Sequence, residues 1–467
     1  MATDFIIGNS DHRVQSLNSS PVNKSGKYVL YWAQVNRRVA WNHALAHAVQ
    51  VANQAGLPVL FYEGLTYDYP HASDRLHSFI LEGVPDTGRQ LERLGIGYLF
   101  YLRRTRDDPN DIFYRLAKDA AAVVTDDYPV LLAPRYNASV PPKLDIPYHA
   151  VDSSCIVPMC CFEKREYAAY TIRPKIRKLL PQYLQPVAAL RVRHKFHGKI
   201  PGYHTRVTAS NIPSLVASCD IDHAVQPSPI FHGGASAAQK RLRQFLKRNL
   251  HRYANLSNQP SEKATSGLSP YLHFGHISSL QVAFAVQDYA REHKLLPDEF
   301  LEELIVRREL AFNFARFTEH PESLHSLPDW ARKTLARHAR DKRDPIYSCD
   351  QFERGSTHDP LWNAAQMELL LTGKIHGYYR MYWGKKIIEW SRTPEEALAT
   401  AIYLNDRYAL DGRDPNSYTN ILWCFGLHDR PWVERPIFGQ VRYMSYGGMQ
   451  RKTDVDAYIQ SLGLVKK

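Results

Sequence analysis

Five short apolar runs recur through the first third of the chain: residues 28–32, 58–62, 96–101, 121–125 and 147–151. Continuous apolar runs of this length belong to strands buried on both faces. Between them lie amphipathic stretches at 41–55, 73–94 and 111–120, where apolar positions repeat at helical spacing. Strand and helix in alternation predict parallel strands with right-handed crossovers, a doubly wound, Rossmann-like α/β domain. No G-x-G-x-x-G follows the first strand, which disfavours a dinucleotide on that turn.

From Pro158 the periodicity fades and prolines recur at 174, 181, 186, 201, 213, 227 and 229. This predicts a surface connection with one helical piece at 173–184. Its basic groups, Lys175, Arg177 and Lys178, then Arg191, Arg193 and Lys195, read as a solvated face. From Ala235 the pattern is helical almost to the end. The expected organisation is a mobile segment 1–26, an α/β domain 27–157, a linker 158–234 and an all-α domain 235–467.

Composition narrows the function classes. The 467 residues suffice for two or three domains, and 59 Lys+Arg against 47 Asp+Glu favour a polyanionic partner. The six cysteines show no paired C-x-x-C spacing, so a reduced intracellular compartment is expected, in cytoplasm, nucleoid or nucleus according to host. No apolar run of 18 residues occurs, and the first residues are polar, so a soluble monomer without membrane contact is expected. The 21 histidines lack H-E-x-x-H or Cys/His ligand spacing, so no metal site is expected.

The chemistry concentrates in residues 361–430, which hold four of the eight tryptophans: Trp362, Trp383, Trp390 and Trp423. Residues 376–390 read as one helix, placing Trp383 and Trp390 two turns apart on one face. Such a pair is ordinarily core packing. The five charged groups Asp406, Arg407, Asp411, Arg413 and Asp414 are not explained by packing. In residues 265–278, a glycine and small hydroxyl residues ahead of Pro270 suit a helix entry able to hold phosphate oxygens.

Four ordered motifs, Arg380-Met-Tyr-Trp-Gly-Lys-Lys386, Leu410-Asp-Gly-Arg-Asp-Pro-Asn416, His428-Asp-Arg-Pro-Trp432 and Arg451-Lys-Thr-Asp-Val-Asp-Ala-Tyr458, resemble the class II cyclobutane pyrimidine dimer photolyases. The resemblance runs from about Tyr28 onward. It implies a flavin enzyme, a carbon–carbon lyase that splits dimers in damaged DNA by one-electron transfer from light-excited, fully reduced FAD, chemistry that side chains perform poorly. It also implies that the first domain can hold an antenna pigment, whose identity the residues leave open.

Site roles follow from the same resemblance. Tyr253, Ser266, Gly267, Leu268 and Ser269 would contact the cofactor, with Arg380 and Asp411 paired near the flavin carbonyls. Arg407, Arg413 and Asp414 offer rival pairings. Asn405 would lie beside the flavin N5, its amide able to accept or donate. Trp362, Trp383 and Trp390, assisted by Tyr382, would relay electrons from the surface. Glu303 would face the damaged bases with Arg307 four residues away on the same helical face. Trp423 would wall the pocket for the flipped dimer. Asp429 and Arg430, with Trp432, would enter the duplex, while Arg442, Arg451 and Lys452 would hold phosphates. Two rivals remain: a cryptochrome-like blue-light receptor without repair, and a colourless helical nucleic-acid-binding protein.

Overall fold

The computed structural model describes residues 12–463. The first part is a single sheet of β1 (Val14–Ser16), β2 (Tyr28–Trp32), β3 (Val59–Thr66), β4 (Gly97–Arg103), β5 (Ala120–Asp126) and β6 (Tyr148–Val151), ordered β1-β6-β5-β2-β3-β4. β2 through β6 are parallel, and every residue of β2, β5 and β6 is buried, as their unbroken apolar runs require. The expected α/β fold is present, with helices on both faces.

Two local expectations change. Residues 1–11 of the segment expected to be mobile lie outside the described residues. From Val14 the chain is held: β1 pairs antiparallel with β6, and the Asn18 side chain bonds to Tyr148 and Ile146. A three-residue strand is too short to show a period. The stretch 73–94 is two helices, Asp74–Leu81 and Val84–Leu94, divided at Gly83 because Pro85 suits only the first turn of a new helix.

The linker contains the expected helix, Ala169–Tyr183, and a second, Ile212–Ala217. It also covers the open edge of β4: Thr205 N–H donates to the Phe100 carbonyl at 2.8 Å, and the His204 ring accepts from Phe100 N–H at 3.1 Å.

Beyond Ala235 the chain is helical. Pro360–Thr372, Pro394–Tyr408 and Pro415–Cys424 begin alike, with proline in the first turn behind a capping side chain, Asp359, Thr393 and Asp414 respectively. Gly377–Trp390 lies among them with ten of its fourteen residues buried. Among the described residues no helix is long and apolar enough to cross a membrane.

The stretch expected to be one α-helix at 300–310 is corrected. Asp298–Leu301 passes into a π-helical segment, Glu302–Arg307, before α-helix resumes at Arg308–Arg316. A widened turn brings residues five apart together, so Arg307 reaches Glu302 at 3.8 Å rather than pairing with Glu303. Glu302 is also held by Arg173 of the linker, with Nη2 at 2.7 Å and Nε at 3.1 Å.

Among the contacts between the two parts, one serves two helix ends at once. Arg75, from the α/β part, donates to the carbonyls of Leu369, Leu370, Tyr408 and Gln226 at 2.6–3.1 Å, so it caps the C-termini of two helices of the helical part. Burial pushes its guanidinium down to about 10. Arg75→Met should cost about 3 kcal/mol by urea unfolding, since it leaves buried carbonyls without donors. A loss under about 1 kcal/mol would mean that water replaces the cap.

Candidate active site

A buried carboxylate organises the first group of site residues. Asp411 Oδ1 accepts from Arg380 Nη2 at 2.8 Å, while Oδ2 accepts from Lys374 Nζ at 2.8 Å and Ser269 Oγ at 2.6 Å. Burial pushes the Asp411 carboxyl up, but Arg380 and Lys374 outweigh it and hold it well below the usual carboxylate range. Two cations against one carboxylate leave net positive charge. Arg380 Nε is also buried without a hydrogen-bond partner among the described residues, the mark of a site that a polar or anionic ligand completes.

Asn405 lies on Pro394–Tyr408, 2% exposed. Its Nδ2 donates to Asp406 at 3.0 Å and to Ser417 at 2.5 Å, so both amide hydrogens are spent inside the protein. The expected ability to donate as well as accept narrows to acceptance at Oδ1. Two of the three rivals to the Arg380–Asp411 pair are engaged elsewhere. Arg407 bonds Asp222 and Glu353, and Asp414 accepts from Tyr128. Among the described residues Arg413 Nη1 and Nη2 have no hydrogen-bond partner, and Arg413 lines a different cavity.

The second group is three indoles. Trp383 and Trp362 stack in parallel, with centroids 6.3 Å apart and planes 4° from each other, and Trp362 meets Trp390 at 6.3 Å and 67°. Trp362 therefore stands between two residues of another helix, giving the order Trp383, Trp362, Trp390. Trp383 Nε1 donates to Gln366 at 2.9 Å, and Trp362 Nε1 to the Trp383 carbonyl at 3.0 Å. The Tyr382 hydroxyl donates to Asp359, whose other oxygen caps Trp362 N–H. Lys386 Nζ lies 5.4 Å from both the Tyr382 and the Trp390 rings.

The third group surrounds Trp423. Arg442 is bidentate to Asp429 at 2.9 and 3.1 Å, and its guanidinium stacks 5.2 Å from Trp423 and 4.2 Å from Trp432. Arg430 stacks on Trp432 from an exposed loop. Burial pushes Asp429 up, but the hydrogen bonds from Arg442 prevail and lower it. Arg451 and Lys452 stand exposed at the end of Tyr446–Lys452, with no contact to this group among the described residues.

Glu303, on the π segment, presents an exposed surface, yet desolvation raises its carboxyl above the ordinary value despite Arg307. Tyr253 lies close enough to feel its charge and packs against Phe245 and Phe300. Of the other expected cofactor contacts, Ser269 joins Asp411, whereas Ser266 accepts only from Leu268 N–H and Leu268 is core. Gly267 adopts φ 65°, the left-handed turn into Ser269–His273. Sequence reasoning missed Lys374, Gln366, Lys385 and Lys386. Gln366 carried a signal: a polar residue in an apolar helix, one turn after Trp362.

The fold occurs in known proteins. The fold matches a class III photolyase of Agrobacterium tumefaciens with TM-score 0.71 at 17% identity, covering 94% of this chain and 86% of that one. It also matches a cryptochrome of Synechocystis with TM-score 0.67 at 15% identity, covering 93% and 88%. This defines the photolyase and cryptochrome fold. A family model for DNA photolyase matches residues 29–192. The deoxyribodipyrimidine photo-lyase of Methanothermobacter thermautotrophicus is 41% identical over 96% of this chain and 98% of its own, and that of Arabidopsis thaliana 39% over 94% and 89%. The chain belongs to the deoxyribodipyrimidine photo-lyase family.

The Asp411 cluster is open to a direct test. Asp411→Asn strands the buried Arg380 and the half-buried Lys374 and should cost about 3 kcal/mol by urea unfolding. Because the native carboxyl is depressed, the stabilisation is fully present above the unfolded carboxylate range and is lost as pH falls below it. The wild-type curve should bend there, and the variant curve should be flatter.

Proposed function

We propose that this protein is a photolyase of class II type, which splits cyclobutane pyrimidine dimers in DNA under blue light using FAD in its fully reduced form. The observation that carries this reading is the stack of Trp383, Trp362 and Trp390, which starts on the helix that also supplies Arg380 to the Asp411 cluster. Aromatic rings in van der Waals series form an electron path. The motifs around Arg380, Leu410, His428 and Arg451 support class II type.

FAD fits the residues present. A neighbouring fold, the photolyase of Sulfolobus tokodaii, was solved with two FAD molecules. Bound FAD would supply the light-driven one-electron chemistry. Arg380 and Lys374 would offset the negative charge of its reduced form, and Asn405 Oδ1 would accept a hydrogen bond from a protonated ring nitrogen. Ser269, with Gly267 and Ser266 at the turn, would hold phosphate oxygens. Glu303, its carboxyl raised toward the protonated form, would donate a hydrogen bond to a pyrimidine carbonyl. The dimer must leave the duplex, and photolyases are a standard case of base flipping. Trp423 would wall the pocket, Arg430 and Trp432 would fill the gap, and Arg442, Arg451 and Lys452 would hold phosphates.

The antenna belongs to the α/β part. A cavity of about 550 Å³ opens at the C-terminal ends of β2 to β5, lined among others by Trp32, Tyr101, Phe113 and Tyr136. This is where doubly wound sheets take ligands, and the volume suits one planar chromophore.

Reduced protein and an oligonucleotide carrying one thymine dimer should give restored thymines under blue light and none in the dark. Binding without restoration would support the receptor reading. Trp362→Phe should slow light-driven reduction of oxidised flavin at least about tenfold, yet preserve repair after chemical reduction. Unchanged photoreduction would remove the indoles from the path.

A further inference from the structure

Lys385 is fully buried, its Nζ 2.5 Å from the Cys424 carbonyl and 5.1 Å from the centre of the Trp423 ring. Among the described residues no carboxylate lies within ion-pair distance of it. The nearest acid to influence it, Asp429, is already held by two hydrogen bonds from Arg442. Packing does not call for such an arrangement. An ammonium on an unbranched chain, satisfied by one carbonyl and an indole face, is less stable than methionine in the same space.

Its position supplies a use. Trp423 is half-buried with two cations over its ring, the fully buried Lys385 and the Arg442 guanidinium that Asp429 neutralises, so a cation without a carboxylate partner among the described residues stands against the aromatic wall where the resemblance places the lesion. We infer that Lys385 is a positioning residue for dimer splitting, acting through Trp423 to place a fixed positive charge behind the lesion as it becomes negative. The inference rests on the photolyase reading. In that reaction the lesion gains one electron, its two cyclobutane carbon–carbon bonds break, and the electron returns to its donor. No other reductant is required. A charge fixed inside the protein acts without solvent reorganisation and in a low local dielectric.

The titratable and charged groups facing Lys385 come from other elements: the Cys424 thiol, pushed up to about 11 by burial, and Asp429 and Arg442 from the chain beyond it. Burial pushes the Lys385 ammonium down to about 8. The charge is thus present at neutral pH and lost as pH rises through that value, whereas an exposed lysine keeps its charge.

The test is the yield of dimer splitting per absorbed photon, at saturating dimer oligonucleotide, over roughly pH 6.5 to 9.5. Wild-type yield should fall severalfold with a midpoint near 8. Lys385→Met, which relieves a buried charge and so should fold, is expected to give the wild-type high-pH yield at every pH. Lys385→Arg should stay high and flat. Dark affinity for the same oligonucleotide should stay within about twofold of wild type, separating charge from wall placement.

A Lys385→Met protein with wild-type yield, or one that keeps the fall near pH 8, would overturn the inference. So would a loss confined to dark affinity. A wild-type profile flat across the range overturns it without any variant. Wild-type protein that binds the dimer but splits none at any pH fails the photolyase reading itself.

Discussion

The carbonyls that end two helices of the helical part are buried against the α/β part, and Arg75 serves both. Buried C-terminal carbonyls need donors, and a guanidinium is the one side chain with enough of them in a rigid fork. The helices it caps carry Trp362 and Asn405 respectively. Their relative placement is therefore set by a residue belonging to neither. The linker works similarly through Arg173, which holds Glu302 on the π segment beside Glu303. The site is assembled from the helical part but registered by the rest of the chain.

The helix Gly377–Trp390 shows how one element serves several tasks. Arg380 faces the Asp411 carboxylate, Trp383 begins the indole stack, and Trp390 ends it. The adjacent lysines separate around the helix. Lys385 reaches the Trp423 side, and Lys386 lies by Trp390 and pairs with Glu389 at 2.5 Å. A cation near an indole makes it harder to oxidise. Lys386 beside Trp390 is paired, which weakens that effect, whereas Lys385 beside Trp423 has no carboxylate partner among the described residues. Gly384 lets this crowding occur: a Cβ there would stand 2.7 Å from Cys424 Sγ.

Much of this was legible in the sequence, where the physics is local. Unbroken apolar runs marked β2 to β6, and Thr393 with Pro394 marked a helix start. The seven-residue spacing put Trp383 and Trp390 on one face. The order of the indoles was not legible, because Trp362 enters between them from another helix and periodicity carries no partner information. The same limit hid Lys374 behind Asp411. The π segment escaped because Glu302 to Arg307 differs from an α-helical sequence in no residue type. Ser266 and Leu268 came with Ser269 from the resemblance, and the turn at Gly267 sends the Leu268 side chain into the core while Ser269 meets Asp411.

The proline-studded linker has a further meaning once its contacts are traced. An open parallel sheet ends in strands whose unused N–H and C=O groups invite pairing with another chain. Here β1 occupies one margin, and residues 204 and 205 of the linker occupy the other. The stretch that looks like a spacer is a selvedge, finishing the weave so that it neither frays nor catches. Shortening it would threaten solubility before it disturbed chemistry.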